Sequence, residues 1–183
     1  MRNVLFLDID GVLHRGIARR SGNRVMSSSP DIKLFEYLPI LDDLLSPYPN
    51  IEIILSSDWS LVFGTDATRK VMPSSGVQER IVGATYDGCN FDSRLWPVLT
   101  RGGQVLDYVE RNKPLRWLAV DDRMDGFDAV RDRLVHCQTE VGLGDPAVVE
   151  QFRERLQRFF ANSREYDTDD SRADGGEDAA RSE

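Results

Sequence analysis

Residues 4–13 read Val-Leu-Phe-Leu-Asp-Ile-Asp-Gly-Val-Leu, and the fold turns on how this stretch is understood. Val4 to Leu7 form an unbroken apolar run, as expected of a parallel strand buried on both faces. The run stops abruptly at Asp8 and Asp10, with Gly11 directly behind them. A carboxylate is costly to bury unless it is paired, hydrogen-bonded or metal-bound. At the carboxyl end of a strand in an open α/β sheet, such groups line the ligand crevice. Alternation along the chain predicts Asp8 and Asp10 on one side and Ile9 on the other. Two anions that close repel one another, and a divalent cation relieves the repulsion. A plain Asp-Gly turn needs only one acid and no buried strand ahead of it.

Two later stretches repeat the pattern. Residues 51–55 form an apolar strand that runs into Ser56-Ser57-Asp58-Trp59, and residues 116–120 form one that runs into Asp121-Asp122, with Asp125 four positions after Asp121. Helices are predicted between and beyond them. Pro39 suits the first turn of a helix over 39–46, with Ile40, Leu41, Leu44 and Leu45 on one face. A helix over 65–72, capped by Thr65 or Asp66, is broken at 73–76 by Pro-Ser-Ser-Gly. Residues 76–96 show no clear periodicity beyond a short strand hinted at 81–83. A helix over 102–111 turns Val105, Leu106 and Val109 inward, and Arg101 stands just before it. The chain then predicts a helix near 127–134, a strand at 135–137, and a helix from Pro146 capped by Asp145. Val149, Phe152, Leu156 and Phe159 form the core stripe of that last helix.

Residues 14–25 carry Arg15, Arg19, Arg20 and Arg24 without an acid. Glycine and serine punctuate the segment, which predicts a loop or loose hairpin over the strand ends. Its arginines are candidates for contacting an anion.

The 183 residues fit one domain with a substantial core, and 40% hydrophobic with 30% charged residues is ordinary for a globular chain. No apolar run approaches the ~20 residues of a membrane span, and no signal-peptide pattern opens the sequence, so a cytoplasmic, membrane-free protein is expected. Cys89 and Cys137 have neither metal-ligand spacing nor a disulfide framework. Residues 162–183 hold eight acids and three arginines, and so −5 of the net charge of −8. That composition cannot bury enough to fold, which divides the chain into a folded domain at 1–161 and a disordered acidic tail at 162–183.

Asp8-Ile9-Asp10-Gly11-Val12 resembles the first motif of the haloacid dehalogenase-like (HAD) phosphohydrolases, a hydrophobic strand followed by Asp-x-Asp-Gly. Ser56 resembles the hydroxyl residue of the second motif, with Ser57 in reserve. Arg101 stands where the third motif places a cation. Lysine is commoner there, so Lys113 competes. Asp121-Asp122 resembles the acidic pair of the fourth motif, and Asp125 matches a second spacing that the family uses. The resemblance implies a three-layer Rossmann-like α/β fold with a central, mostly parallel sheet. It implies Asp8 as nucleophile, Asp10 as acid and base, Ser56 and Arg101 on the phosphoryl group, and Mg²⁺ held by Asp8, the Asp10 carbonyl and Asp121 or Asp122. Oxygen-only ligands, with no His or Cys nearby, favour Mg²⁺ over zinc.

Neither 11–55 nor 57–101 is long or regular enough for a separate cap domain, so the chain resembles the capless members of the family. The Leu-Ser-Ser-x-Trp stretch and the Arg-Gly helix start resemble the small HAD domains associated with RNA repair. The implied activity is hydrolysis of a phosphomonoester, with a nucleotide or nucleic-acid end as substrate and Arg19 as its first contact. The alternative is a receiver-like, phospho-accepting or non-catalytic binding module, with Asp58 as acceptor and Lys113-Pro114 as its pair. The order argues against it, because Lys113 precedes a buried strand rather than following one.

Overall fold

The computed structural model describes residues 2–22, 24–86, 88 and 94–161. The proposed acidic tail and Cys89 lie outside the described residues. Five parallel strands form the central sheet, in the order β5-β4-β1-β6-β7: β1 (Asn3–Leu7), β4 (Ile51–Leu55), β5 (Ile81–Ala84), β6 (Arg116–Asp121) and β7 (Leu134–His136). A separate antiparallel hairpin, β2 (Ala18–Ser21) and β3 (Arg24–Ser27), follows β1.

The middle strand explains the layering. Leu5 and Leu7 enter one apolar cluster, and Val4 and Phe6 enter another, because successive side chains of a strand face opposite ways. The first cluster is closed by Leu41 and Leu44 of α1 (Leu38–Leu45) and by Phe152, Leu156 and Phe160 of α6 (Pro146–Phe160). The second is closed by Val105 and Tyr108 of α5 (Arg101–Asn112) and by Phe127. The result is the expected three-layer, mostly parallel α/β fold, and the described residues contain no separate cap domain. No helix among them is long and apolar enough to cross a membrane.

Three local elements depart from the sequence reading. The Pro73-to-Gly76 break is real but brief. Ser74 accepts a hydrogen bond from the Val77 N–H and starts α4 (Ser75–Arg80) at once. A short helix, α2 (Asp58–Phe63), begins directly after the second strand motif, ahead of α3 (Thr65–Val71). Residues Asp128–Arg133 form 3₁₀ turns kinked at Val130, not the α-helix expected near 127–134.

Candidate active site

The sheet ladder runs on past the apolar residues and fixes the polar ones. Leu7 pairs with Leu55 on one side and Val120 on the other, so Asp8, Ser56 and Asp121 follow at one level. The N–H of Asp8 donates to Val120 O at 3.1 Å and that of Ser56 to Leu7 O at 2.9 Å. The three side chains follow the parity of Phe6, Ile54 and Ala119, the face that α5 covers.

Helix α5 supplies the cation. Thr100 caps it through Gly103 N–H, and Arg101 is the first helical residue. Arg101 is 3% exposed, yet it is surrounded by acids. Its guanidinium lies 3.1 Å from Asp121 Oδ2, 3.7 Å from Asp8 Oδ1 and 3.7 Å from Asp58 Oδ1. Nη1 also donates to Gln104 Oε1 at 2.9 Å, and Gln104 is anchored to Trp96 O. Nε faces Asp121 off the line that a hydrogen bond needs and stays unpartnered. Burial works against its charge, but Asp8 and Asp121 more than restore it, and the guanidinium is held firmly protonated.

Carboxylate oxygens of Asp8, Asp121 and Asp122 come within 4.8 Å of one another. Burial is the main reason that the Asp8 carboxyl is pushed up to about 7. Arg101 opposes the rise, and Asp122 adds to it. Burial and the neighbouring Asp8 likewise drive Asp121 well above the usual carboxylate range. One arginine does not offset three converging acids, and the oxygen-only donor set fits a hard divalent cation. Asp122 is fixed by Thr139, whose Oγ1 donates to Oδ2 at 2.7 Å. Gly11, at φ 66°, packs where a Cβ would strike the Asp122 carboxylate and the Thr139 backbone, so only glycine fits this turn.

The other expected residues fall as follows. Ser56 is fully buried, its hydroxyl 3.5 Å from Asp121 Oδ2. Ser57 caps α2 through Trp59 N–H, and its side chain lies near enough to Asp8 to favour the ionised carboxylate slightly. Asp10 lies beside the cluster with its carboxylate outside the group of three, bound instead by His14 Nε2 and Ala18 N–H. Asp125 is not part of the cluster either. Its Oδ2 accepts from Arg101 N–H at 3.0 Å and its carbonyl from Gly102 N–H at 2.8 Å, which clamps the start of α5. Lys113 is the C-cap of α5 and lies at the helix end opposite Arg101. Arg19 is exposed and pairs with the exposed Met26. It therefore faces away from the side on which Ala18 and Val25 meet the core. Arg15 is already engaged by Glu36 and Asp31.

The premise that no His or Cys stands near is corrected. His14 binds Asp10, His136 meets the Asp122 carbonyl at 3.1 Å, and Cys137 N–H donates to Asp121 O. None of them joins the metal-capable group among the described residues, and burial pushes the Cys137 thiol up, away from the thiolate.

A parallel α/β sheet with converging acids and a buried cation at its carboxyl edge is the arrangement of a HAD-like domain. A family model described as "HAD domain in Swiss Army Knife RNA repair proteins" matches residues 4–148, and the chain belongs to that family. No curated protein matches it.

Proposed function

We propose that this chain is a Mg²⁺-dependent phosphomonoesterase that works through an aspartyl-phosphate. The convergence of Asp8, Asp121 and Asp122 around one buried arginine carries this reading. Such an arrangement is unfavourable for an empty protein and favourable once a cation and a phosphoryl group share it.

In this reading an Asp8 oxygen attacks phosphorus, and the bond from phosphorus to the leaving oxygen breaks. Asp10 gives that oxygen its proton, so an alcohol departs. Asp10 then takes a proton from water as the water attacks phosphorus, which releases phosphate and regenerates Asp8. Arg101 balances charge on the transferring group, and the Ser56 and Ser57 hydroxyls donate to its oxygens. Mg²⁺, held by Asp8, Asp121, Asp122 and the Asp10 carbonyl, would neutralise the phosphoryl charge.

The proposed substrate is a nucleotide or nucleic-acid end carrying a terminal phosphate. The family description supports it, and so does the lack of a separate cap domain among the described residues. The test is phosphate release with Mg²⁺ across nucleotides, sugar phosphates, phosphopeptides and phosphorylated oligonucleotides. Oligonucleotide ends are expected to lead, with rates that fall steeply with salt. A preference for sugar phosphates, or equal salt response on a small phosphoester, would overturn the substrate class. No release from any of them would overturn the activity.

A further inference from the structure

His14 has no part in the chemistry above, yet it is built into the site. Its side chain is fully buried, with its ring edge-on to Phe35 at 5.9 Å and to Trp59 at 6.3 Å. Nε2 lies 3.1 Å from Asp10 Oδ1, and Nδ1 is buried with no hydrogen-bond partner. The same oxygen, Oδ1, also accepts from Ala18 N–H at 2.9 Å. Among the described residues no hydrogen bond holds Asp10 Oδ2, and the Asp10 side chain keeps 24% of its surface exposed.

These contacts fix the direction of the His14 bond. Were the imidazole proton on Nδ1, a buried N–H would be left unpaired among aromatic rings, which proteins rarely tolerate. Oδ1 would then have to donate to Nε2 while accepting from Ala18 as a hydroxyl. With the proton on Nε2, both donors meet a carboxylate oxygen and only a lone pair is left over.

We propose that His14 is a positioning residue: its Nε2–H bond commits Asp10 Oδ1 to accepting and leaves Oδ2 as the oxygen that exchanges protons with leaving group and water. The inference rests on the phosphomonoesterase reading, in which Asp10 is the acid and base. The aromatic box makes the arrangement rigid, because a ring packed against Phe35 and Trp59 cannot swing away from Asp10.

The test compares an alkyl phosphate, whose leaving oxygen needs a proton, with p-nitrophenyl phosphate, whose leaving group departs without one. The quantity read is kcat/KM, which ends at leaving-group departure. His14→Phe fills the box without a donor and is expected to cost ~10–10²-fold on the alkyl ester but less than about threefold on the nitrophenyl ester. His14→Gln, which can still donate, is expected to recover part of the loss. Equal losses on both esters, no loss on either, or a Gln variant no better than Phe would overturn the proposal. Nitrogen-15 spectra of the histidine rings give a readout independent of turnover. They are expected to show His14 protonated on Nε2 alone, with that signal displaced by Asp10→Ala. A proton on Nδ1 of the wild type would overturn the proposal even if the variants failed to fold, and so would an unchanged signal in folded Asp10→Ala. Should the wild type release phosphate from neither ester, the phosphomonoesterase reading fails, and the ring spectra still decide the His14–Asp10 bond.

Discussion

The two ends of α5 carry basic residues in opposite circumstances. Arg101 opens the helix, is 3% exposed, and faces Asp8, Asp58 and Asp121. Lys113 closes it, exposed, in the left-handed region at φ 45°, with its backbone N–H on Val109 O. The first end lies at the carboxyl edge of the sheet and the second at the amino edge, where Leu115 N–H meets Arg2 O. At the amino edge charge is managed cheaply. Arg80 is spent on the carbonyls of Leu45, Tyr48, Pro49 and Ile51, and Arg2 meets Glu52 in a half-exposed pair. At the carboxyl edge, buried acids outnumber their cation. Charge left unbalanced inside a stable scaffold marks the edge that binds a ligand.

The sharpest way to break this comparison is to mutate both ends of one helix. Arg101→Ala is expected to lower kcat/KM for a phosphomonoester by ~10²–10³-fold at saturating Mg²⁺, as for other lost charge donors in a transition state. Lys113→Gly is expected to leave turnover unchanged and to raise stability by about 1 kcal/mol, because glycine relieves the left-handed C-cap. Kinetics and thermal melts on the two variants settle it. The reverse pattern would move the cation to the other end of the sheet.

The sequence made the site's strand ends legible, because a buried parallel strand and the acids that end it are adjacent in the chain. Asp8, Ser56 and Asp121 needed only that local pattern, and Arg101 only a helix start. What stayed hidden depends on distant partners. His14 is fixed by Phe35 and Trp59, and Asp125 is a clamp on α5 because its loop meets Gly102, where a Cβ would strike Gly126. Apolar spacing alone puts Val105, Leu106 and Val109 on the inward face of α5. The most buried side chains include Arg101, Gln104 and Tyr108, since near a polar site a buried face need not be apolar. Helix α2 was too short for periodicity to show. Residues 14–25 read as a loop or loose hairpin, but the pattern does not reveal the face on which Arg19 lies.

The pH response sharpens the contrast next. In the metal-free protein the Asp8 carboxyl is raised to about 7, mainly by burial, from an ordinary 3.8. Between those values the unfolded chain holds fewer protons than the folded one, so stability falls as pH rises through that window. A cation needs the ionised form. Mg²⁺ is therefore expected to raise the melting temperature more at about pH 8 than at about pH 6. An equal shift at both would mean that Asp8 is not a ligand.

The smallest effect is expected in the hairpin. Arg19 faces outward beside Met26, so Arg19→Ala is expected to weaken action on oligonucleotide ends by only about threefold and to reduce its salt dependence by about one phosphate contact. Unchanged rates and salt slope would remove Arg19 from the substrate path.

The central claim is that Asp8 takes the phosphoryl group. Its most direct test is mass spectrometry of enzyme quenched in acid during turnover, before and after hydroxylamine. The account predicts one phosphoryl group on the peptide that contains Asp8, removed by hydroxylamine and missing in Asp8→Asn. A hydroxylamine-resistant phosphate on Ser56 or Ser57, or wild-type turnover by Asp8→Asn, would contradict it.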